Sequence, residues 1–393
     1  MTRPPQDADV IIVGAGIAGS GLACALARYN LRIILLEKRL RLGSIHRGDS
    51  LVPKNTALLA HWGILRAFLQ AGAEPIDHME LHHHQHGCLY RAPLLSPGSS
   101  PYLVLPHAKI EKILLEQALA TQKVSLIQPA KGLTLLHCDE GTVTGIRYQD
   151  EQGLHDIHAA LIVGADGYQS VVRNQLNIET HSYSYDHAYL GLEAQRPTHY
   201  ENAMRVHLHP DGGVLLMPRP DRVGIGVLVG ANTSNYWLKL PDAQLSQILV
   251  QRAPILEGMP LYREGSHVYT LVRSHTASYS TKGVVIIGDA AHTTNPTAGQ
   301  GMAMALSDAG TLAEHVGPLL ASGEIRLTKA LQQYQQQQWP VNQRLVHSSH
   351  RLAWIYAKRG QGWHRFKTTS IKLLAHPLAV RLTRPIITTF LEN

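Results

Sequence analysis

Cysteine is scarce: Cys24, Cys88 and Cys138 stand far apart in 393 residues, with no CxxC pair. That argues against a disulfide framework or a structural zinc site and fits a reducing, cytoplasmic setting. Long apolar runs are lacking too, since no segment reaches the ~20 uncharged apolar residues that a membrane span needs. The stretch from Met1 to Ala8 is polar and carries two prolines, so a charged-then-apolar signal peptide is not expected there. A GxSxG elbow, a P-loop lysine and an HExxH helix are all missing, which removes the common hydrolase and kinase readings. Low-complexity sequence is confined to a short glutamine run near Gln335. Acidic residues vanish between Glu324 and Glu392, where Arg344, Arg351, Lys358, Arg359, Arg365, Lys367, Lys372, Arg381 and Arg384 fall, so the net charge of +7 is unevenly spread.

What the chain does have is a 44 % apolar content beside 17 % charged residues, enough for a large core. Its length implies two intimately linked domains rather than one. The first legible element is Val10-Ile11-Ile12-Val13, a β-branched run that passes straight into Gly14-Ala15-Gly16-Ile17-Ala18-Gly19. This is a buried parallel strand entering a helix through GxGxxG. Gly14 makes the tight turn, Gly16 lets backbone approach a pyrophosphate, and Gly19 lets the helix pack closely on the strand. The helix start, with Ile17 and Ala18, offers unpaired N–H groups and the positive dipole end to phosphate. The helix runs to about Tyr29, and Arg32 to Leu36 then forms a second strand that delivers Glu37, with Lys38 beside it, where an adenosine ribose binds. A strand-helix turn without ligand is the alternative; strand, helix, second strand and terminal acid together favour a dinucleotide.

Two later stretches decide between nicotinamide and flavin. Leu161 to Gly167, with Ser170 and Arg173 following, and Gly283 to His292, continuing to Pro296, Gly299, Gln300 and Gly301, are both apolar strands ending in a Gly/Asp turn. Asp166 with Gly167, and Gly288 with Asp289, therefore sit at the carboxyl ends of parallel strands, where such sheets bind ligands. Asp289 is suited to accept from a ribityl hydroxyl. Gly299, Gln300 and Gly301, leading to Met302 and a helix to about Val316, can face the electron-rich end of an isoalloxazine ring, where negative charge on reduced flavin is stabilised.

In these pieces, GAGIAG at Gly14, GADGYQSVVR at Gly164 and GDAAHTTNPTAGQG at Gly288, the chain resembles the group A flavin monooxygenases, the para-hydroxybenzoate hydroxylase-like family. The likeness spans roughly the first 350 residues. Ubiquinone-pathway hydroxylases belong to that family, and a narrower likeness to alkylquinolone-pathway flavin hydroxylases runs through Asp49 to Pro53 and Trp339 to Gln343. The resemblance implies an α/β fold: a Rossmann-type FAD-binding domain (GR2-like) with an interleaved antiparallel-sheet substrate domain and a helical C-terminal region. It implies that Asp166 and Gly167 belong to a motif linked to FAD and NAD(P)H, and Asp289 to one on the FAD ribose and ribityl. It also implies Arg47 near the flavin and Asp49 at the flavin–substrate boundary, although a loop salt bridge explains this pair equally well. With Pro296 these are the candidates for a chemistry centred on the flavin itself. The resemblance also places His107 near the FAD, where an arginine is commoner in the family, and the chain departs again at Ala303, often an asparagine.

His82, His83, His84 and His86 have the chemistry of metal ligands, yet consecutive histidines point in different directions from a strand or a helix. No metal site is expected, only a polar strand. His292 reads as a structural residue beside the cofactor rather than a general base.

From about His181 to Ser280 the pattern becomes that of antiparallel sheet. Ala203 to His209 alternates, Asp211-Gly212-Gly213 turns, and Gly213 to Pro218 and Val223 to Val229 return. Tyr189, Leu190, Leu216, Met217 and Pro218 are candidates to line a substrate wall, each equally suited to the core. Residues 328–356 read as helix interrupted near Pro340. Beyond, apolar and basic residues mix, a pattern suited to peripheral membrane contact, to capping a pocket or to dimerisation, and without a nucleic-acid recognition motif. The expected division is residues 1–75, 102–180 and 281–325 for FAD, 76–101 and 181–280 for substrate, and 326–393 as the helical basic region.

The expected activity is an NADPH- or NADH-consuming monooxygenase that uses O2 to hydroxylate an aromatic or polyene small molecule through a flavin C4a-hydroperoxide. With one glycine fingerprint, NAD(P)H docks transiently; the protein is a monomer or homodimer. A flavin reductase of geranylgeranyl-reductase type and a non-catalytic FAD-binding paralogue share the same frame.

Overall fold

The computed structural model describes residues 7–42, 49–94 and 98–375. Its first sheet follows from the β-branched runs. Ala8–Val13 lies between Ile33–Leu36 and Gly153–Gly164, and Val124–Ile127 and Val284–Ile286 extend the sheet, all in parallel. Strands covered on both faces are continuous apolar runs, and Ile11, Ile12, Leu35, Ile162 and Val285 are fully enclosed. The helices Ile17–Ala27 and Gly301–Ala321 pack on this sheet and on each other, through one continuous core. Lys131–His137 and Val143–Asp150 form an antiparallel ribbon off the first half of Gly153–Gly164.

The second sheet has eight strands in the order His292–Thr293, Leu261–Thr276, Thr180–Gln195, Arg222–Gly230, Val214–Pro218, Ala203–Leu208, His78–His83 and Gly87–Pro93. Its pairings are antiparallel, as expected, with one exception: Ala203–Leu208 runs parallel to His78–His83. The hairpin arrives from a much earlier part of the chain and adds to the edge that Ala203–Leu208 leaves free, so no tight turn dictates an antiparallel pairing.

Period-two alternation sorts the faces of this sheet. Leu190, Leu216, Val223 and Ile225 pack with Trp237, Leu245 and Leu249 from the helices Ser234–Lys239 and Asp242–Arg252. On the opposite face Leu215 and Met217 meet Val52, Tyr102 and Ala303, and Tyr189 joins Tyr185, Leu271 and Ala353. The wall candidates therefore divide: Leu190 and Leu216 belong to the remote core, while Met217 and Tyr189 face the first sheet's side.

Between the two sheets lies a small one, Ser50–Leu51, Tyr102–Val104 and Glu74–Ile76. The helix Thr328–Ala357 runs unbroken through Pro340, against the expected interruption. Proline removes one N–H and crowds one carbonyl; here Tyr334, Gln338, Asn342 and Leu345 are buried on both sides of it and hold the axis together. Gly301–Ala321 likewise continues past Val316, and Gln361–Leu374 is the last described helix. Among the described residues no helix is long and apolar enough to cross a membrane.

Candidate functional site

Three turns meet at the carboxyl ends of adjacent parallel strands. Ala165 donates its N–H to the Val13 carbonyl at 2.8 Å, and Ile287 donates to Gly164 at 2.9 Å, which stitches the turns side by side. In the first, Gly14 has φ +105°, and a Cβ on it would lie 2.4 Å from the Ala165 oxygen. A Cβ on Gly19 would lie 1.9 Å from the Gly14 oxygen. Gly16 differs, because a Cβ there would meet only Glu111 Oε1, at 3.7 Å. Helix Ile17–Ala27 begins with no side-chain cap and no acidic residue in its own first turn, and the buried carboxylates of Glu37 and Glu111 flank its start.

Glu37 is 3 % exposed at the end of the second strand. Its Oε2 accepts the Ala15 N–H at 2.9 Å, and Oε1 accepts Arg39 N–H at 2.8 Å and Nε at 3.0 Å. Burial works to raise its pKa, but the hydrogen bonds and charge of Arg39, with the Ala15 N–H, hold the carboxyl below its ordinary range. Arg39 also reaches Glu111 Oε1 at 2.8 Å, from helix His107–Ala120. Lys38 is exposed, so the cation that closes on Glu37 is Arg39, one residue further on.

In the second turn Asp166 accepts the Ser170 hydroxyl and the N–H groups of Val171 at 2.7 Å and Val172 at 3.3 Å. It thereby caps the helix Val171–Gln175, while Gly167 turns at φ +83°. Arg173 from this helix donates to Tyr168 O at 2.6 Å and to Ala290 O at 3.1 Å, tying the second turn to the third. In the third, Gly288 has φ +59°, and a Cβ on it would lie 2.7 Å from Ala18 Cβ, so this turn presses on the first helix. Gly288 donates to Asp308 Oδ2 at 2.9 Å, and the same fully buried carboxylate takes His292 Nε2 at 2.7 Å and Asn342 Nδ2 at 2.8 Å. His292 is thus held in an interior network, as its structural reading expected.

Asn295 Oδ1 accepts the Thr297 N–H at 3.0 Å and starts the turn Pro296–Ala298, which Gly299 closes at φ +66°. Gln300 then precedes the helix Gly301–Ala321, whose first turn holds Met302. Thr297 Oγ1 is 3.0 Å from the Tyr189 hydroxyl, a direct link between this turn and the second sheet. Asp49 is buried beside Ser50, accepts the His107 N–H at 3.2 Å and pairs with Arg219 from the second sheet; Arg219 also pairs with Glu193. Arg47 lies outside the described residues, so its expected pairing with Asp49 does too. Sequence reasoning missed Arg39, Glu111, Arg219 and Asp308; only Arg39, two positions after Glu37, left a local signal.

The expectation that His82, His83, His84 and His86 point apart holds for His82, which turns to Glu80 and His207, and is corrected for the other three, whose rings meet. His83 ends its strand and His84 stands in the turn beyond it, free of strand alternation, and the two rings stack with centroids 4.5 Å apart. Nearby His207 is 4 % exposed, stacks on His82 at 4.8 Å, and has its pKa pushed down to about 3 by burial and then by His82 and Arg205, with Glu80 acting in the opposite sense. His275 is pushed down to about 4 by burial, His292 and His347, against Asp308. An unfolded histidine titrates near 6.5, so below that pH the unfolded chain binds more protons than the folded one. Stability is accordingly expected to be full above pH ~6.5 and to fall as pH drops toward 4, by about 1.4 kcal/mol per pH unit for His207. Thermal unfolding midpoints across this range check it, and a flat profile in wild type, with no difference from His207→Leu, counts against it.

An FAD suits these residues. Gly16 leaves a cradle bounded by Glu111 before a helix start without a side-chain cap, and an acid stands at the second strand's end. Buried polar atoms without a partner among the described residues, Asn55 Oδ1, Thr294 Oγ1 and Gln300 Oε1, gather near the start of helix Gly301–Ala321. Residues 7–349 match a family model described as an FAD binding domain. The chain is 27 % identical to ubiquinone hydroxylase UbiL of Rhodospirillum rubrum over 333 residues, 79 % of this chain and 72 % of that one. It is 27 % identical to digeranylgeranylglycerophospholipid reductase 1 of Methanopyrus kandleri over 322 residues, 76 % and 77 % of the two chains. The solved structure of pqsL from Pseudomonas aeruginosa shares the fold with a TM-score of 0.79 at 22 % identity, covering 93 % of this chain and 99 % of that one. Matched along most of its length, the chain belongs to the FAD-binding-domain family and is an FAD-dependent enzyme of the aromatic hydroxylase, monooxygenase type.

Proposed function

We propose that the protein hydroxylates a small aromatic or prenylated aromatic molecule with O2, drawing electrons from NADPH or NADH. The observation that carries this reading is an apolar cluster beside the third turn. Val52, Tyr102, Val104, Met217 and Ala303 come together there from the small sheet, the second sheet and helix Gly301–Ala321. FAD, when bound, supplies the redox and oxygen chemistry; the chain binds, orients and keeps water out. In this reading residues 1–75, 102–180 and 281–325 hold FAD, and 76–101 with 181–280 wall the substrate. Gly14, Gly16, Ile17, Ala18 and Gly19 take the pyrophosphate, and Glu37, oriented by Arg39, takes the adenosine ribose. Asp166, Gly167, Gly288 and Asp289 line the middle of the cofactor, and Pro296, Gly299, Gln300, Gly301 and Met302 the flavin end. His107 stands near the FAD, and Asp49 at the boundary with substrate.

The test is substrate-stimulated O2 uptake and NAD(P)H oxidation by the purified yellow protein, against phenols, aromatic amines, quinolones and prenylated quinone precursors. Incorporation of one oxygen atom from O2 into product supports hydroxylation. Reduction of a substrate double bond with no substrate-coupled O2 uptake instead favours the reductase activity named for the Methanopyrus relative, and a colourless protein that takes up no added FAD sinks both. Glu37→Gln is expected to weaken FAD binding by roughly 10- to 100-fold, the worth of one or two hydrogen bonds to a charged group. Flavin fluorescence titration of the apoprotein measures it, and unchanged affinity removes Glu37 from the ribose.

The acid-free stretch after Glu324 exposes Trp354, Trp363, Phe366 and Leu373, with Arg351, Arg359, Arg365 and Lys372 also exposed. An anionic lipid surface matches both the charge and the apolar side chains. Co-sedimentation with vesicles containing anionic phospholipid is expected, weakened by salt and by the triple substitution W354A, W363A and F366A. Equal binding to neutral vesicles, or none, counts against the lipid surface.

A further inference from the structure

We propose that His83, His84 and His364 form a binding site for a transition-metal dication, with Zn2+ the probe that suits it. The three come from separate pieces of chain: the end of strand His78–His83, the turn beyond it, and the first turn of helix Gln361–Leu374. His364 Nε2 lies 3.0 Å from His83 Nε2, and one nitrogen from each of the three rings falls within 4.8 Å of the others. Tetrahedral zinc with Zn–N bonds of ~2.0–2.1 Å places its imidazole nitrogens about 3.3 Å apart, a separation small ring rotations reach from here.

Two features set this cluster apart from histidines that merely share a surface. A hydrogen bond between His83 and His364 accounts for one contact, yet the buried Nδ1 of His364 has no hydrogen-bond partner among the described residues. His364 is also 3 % exposed, so its ring is committed to the interior of the cluster. The chemistry is right for a metal of intermediate softness, since zinc, copper and nickel take neutral imidazole. His86, with its ring centroid 4.4 Å from that of His83, and His209, 4.6 Å from His84, stand ready as a fourth ligand. An ion held there would tie the last described helix to the edge hairpin of the second sheet.

The experiment uses untagged, metal-stripped, FAD-loaded protein and titrates Zn2+ against a chromophoric chelator. The expected result is one tightly held equivalent per chain, weakened at least about tenfold in His364→Ala and in His84→Gln, together with a zinc-dependent rise in the unfolding temperature that both variants lose. His84→Gln, in a half-buried turn position, keeps the test valid if His364→Ala fails to fold. Absence of a stoichiometric equivalent in wild type overturns the site, and so does undiminished binding in the folded variants, which would put the ion elsewhere on a histidine-rich chain.

Discussion

Arg219→Ala is expected to cost about 3–5 kcal/mol of stability, because it strands buried carboxylates rather than merely removing a contact. Arg219 is 5 % exposed and pairs with both Asp49, 4 % exposed, and Glu193, 8 % exposed. Glu193 retains Arg222 at 2.8 Å after the substitution. Asp49 keeps the backbone N–H of His107, a weaker partner than a guanidinium. The damage should therefore concentrate on Asp49, and the double variant R219M/D49N should recover much of the loss, which a double-mutant cycle on denaturant unfolding reads directly. Asp49 adjoins the strand Ser50–Leu51, and Arg219 follows the strand Val214–Pro218. Released flavin is thus expected to accompany the loss. A single variant within ~0.5 kcal/mol of wild type would mean that the pair is solvated rather than buried.

Gly19→Ala and Gly16→Ala, three residues apart, are expected to fail in opposite ways. At Gly19 the added carbon meets the Gly14 oxygen at 1.9 Å and the Gly14 carbonyl carbon at 3.1 Å, both backbone atoms of the tightest turn. Helix and strand must separate to admit it, and every residue from Ile17 to Leu26 is buried against the sheet and the neighbouring helices. A loss of more than about 3 kcal/mol follows, seen as insoluble or unfolded protein. At Gly16 the same carbon meets only Glu111 Oε1 at 3.7 Å, so the chain folds, while the methyl occupies the cradle assigned to pyrophosphate. The expected Gly16→Ala protein has wild-type circular dichroism and little flavin. Should Gly16→Ala retain full FAD affinity, the cradle is not where the phosphates lie.

The three glycine/aspartate turns were legible because each is a local event, a strand end, a tight φ and a helix start within about ten residues. What tunes them comes from afar. Asp308, which takes the Gly288 N–H, belongs to a helix read in sequence only by its extent, from Met302 to about Val316, and Glu111 lies seventy-two positions from the Arg39 it binds. Periodicity does not choose between Lys38 and Arg39, because the strand has already ended and the backbone turn decides which cation faces Glu37. Pro340 misled for a related reason: the local rule breaks the helix, whereas the buried face along Thr328–Ala357 holds it whole. The histidine cluster was illegible because a turn cancelled strand alternation at His84 and the third ring came from helix Gln361–Leu374.

The parallel pairing of Ala203–Leu208 with His78–His83 also governs the order in which the protein can assemble. A hairpin made early in synthesis waits on a strand more than a hundred residues later, and the first sheet waits still longer for Val284–Ile286. Pairings of such long sequence separation form slowly and leave edges open to wrong partners meanwhile. Neither sheet can therefore be cut out as a continuous piece: one draws its strands from residues 8–286 and the other from 78–293, so each depends on chain that also builds its neighbour.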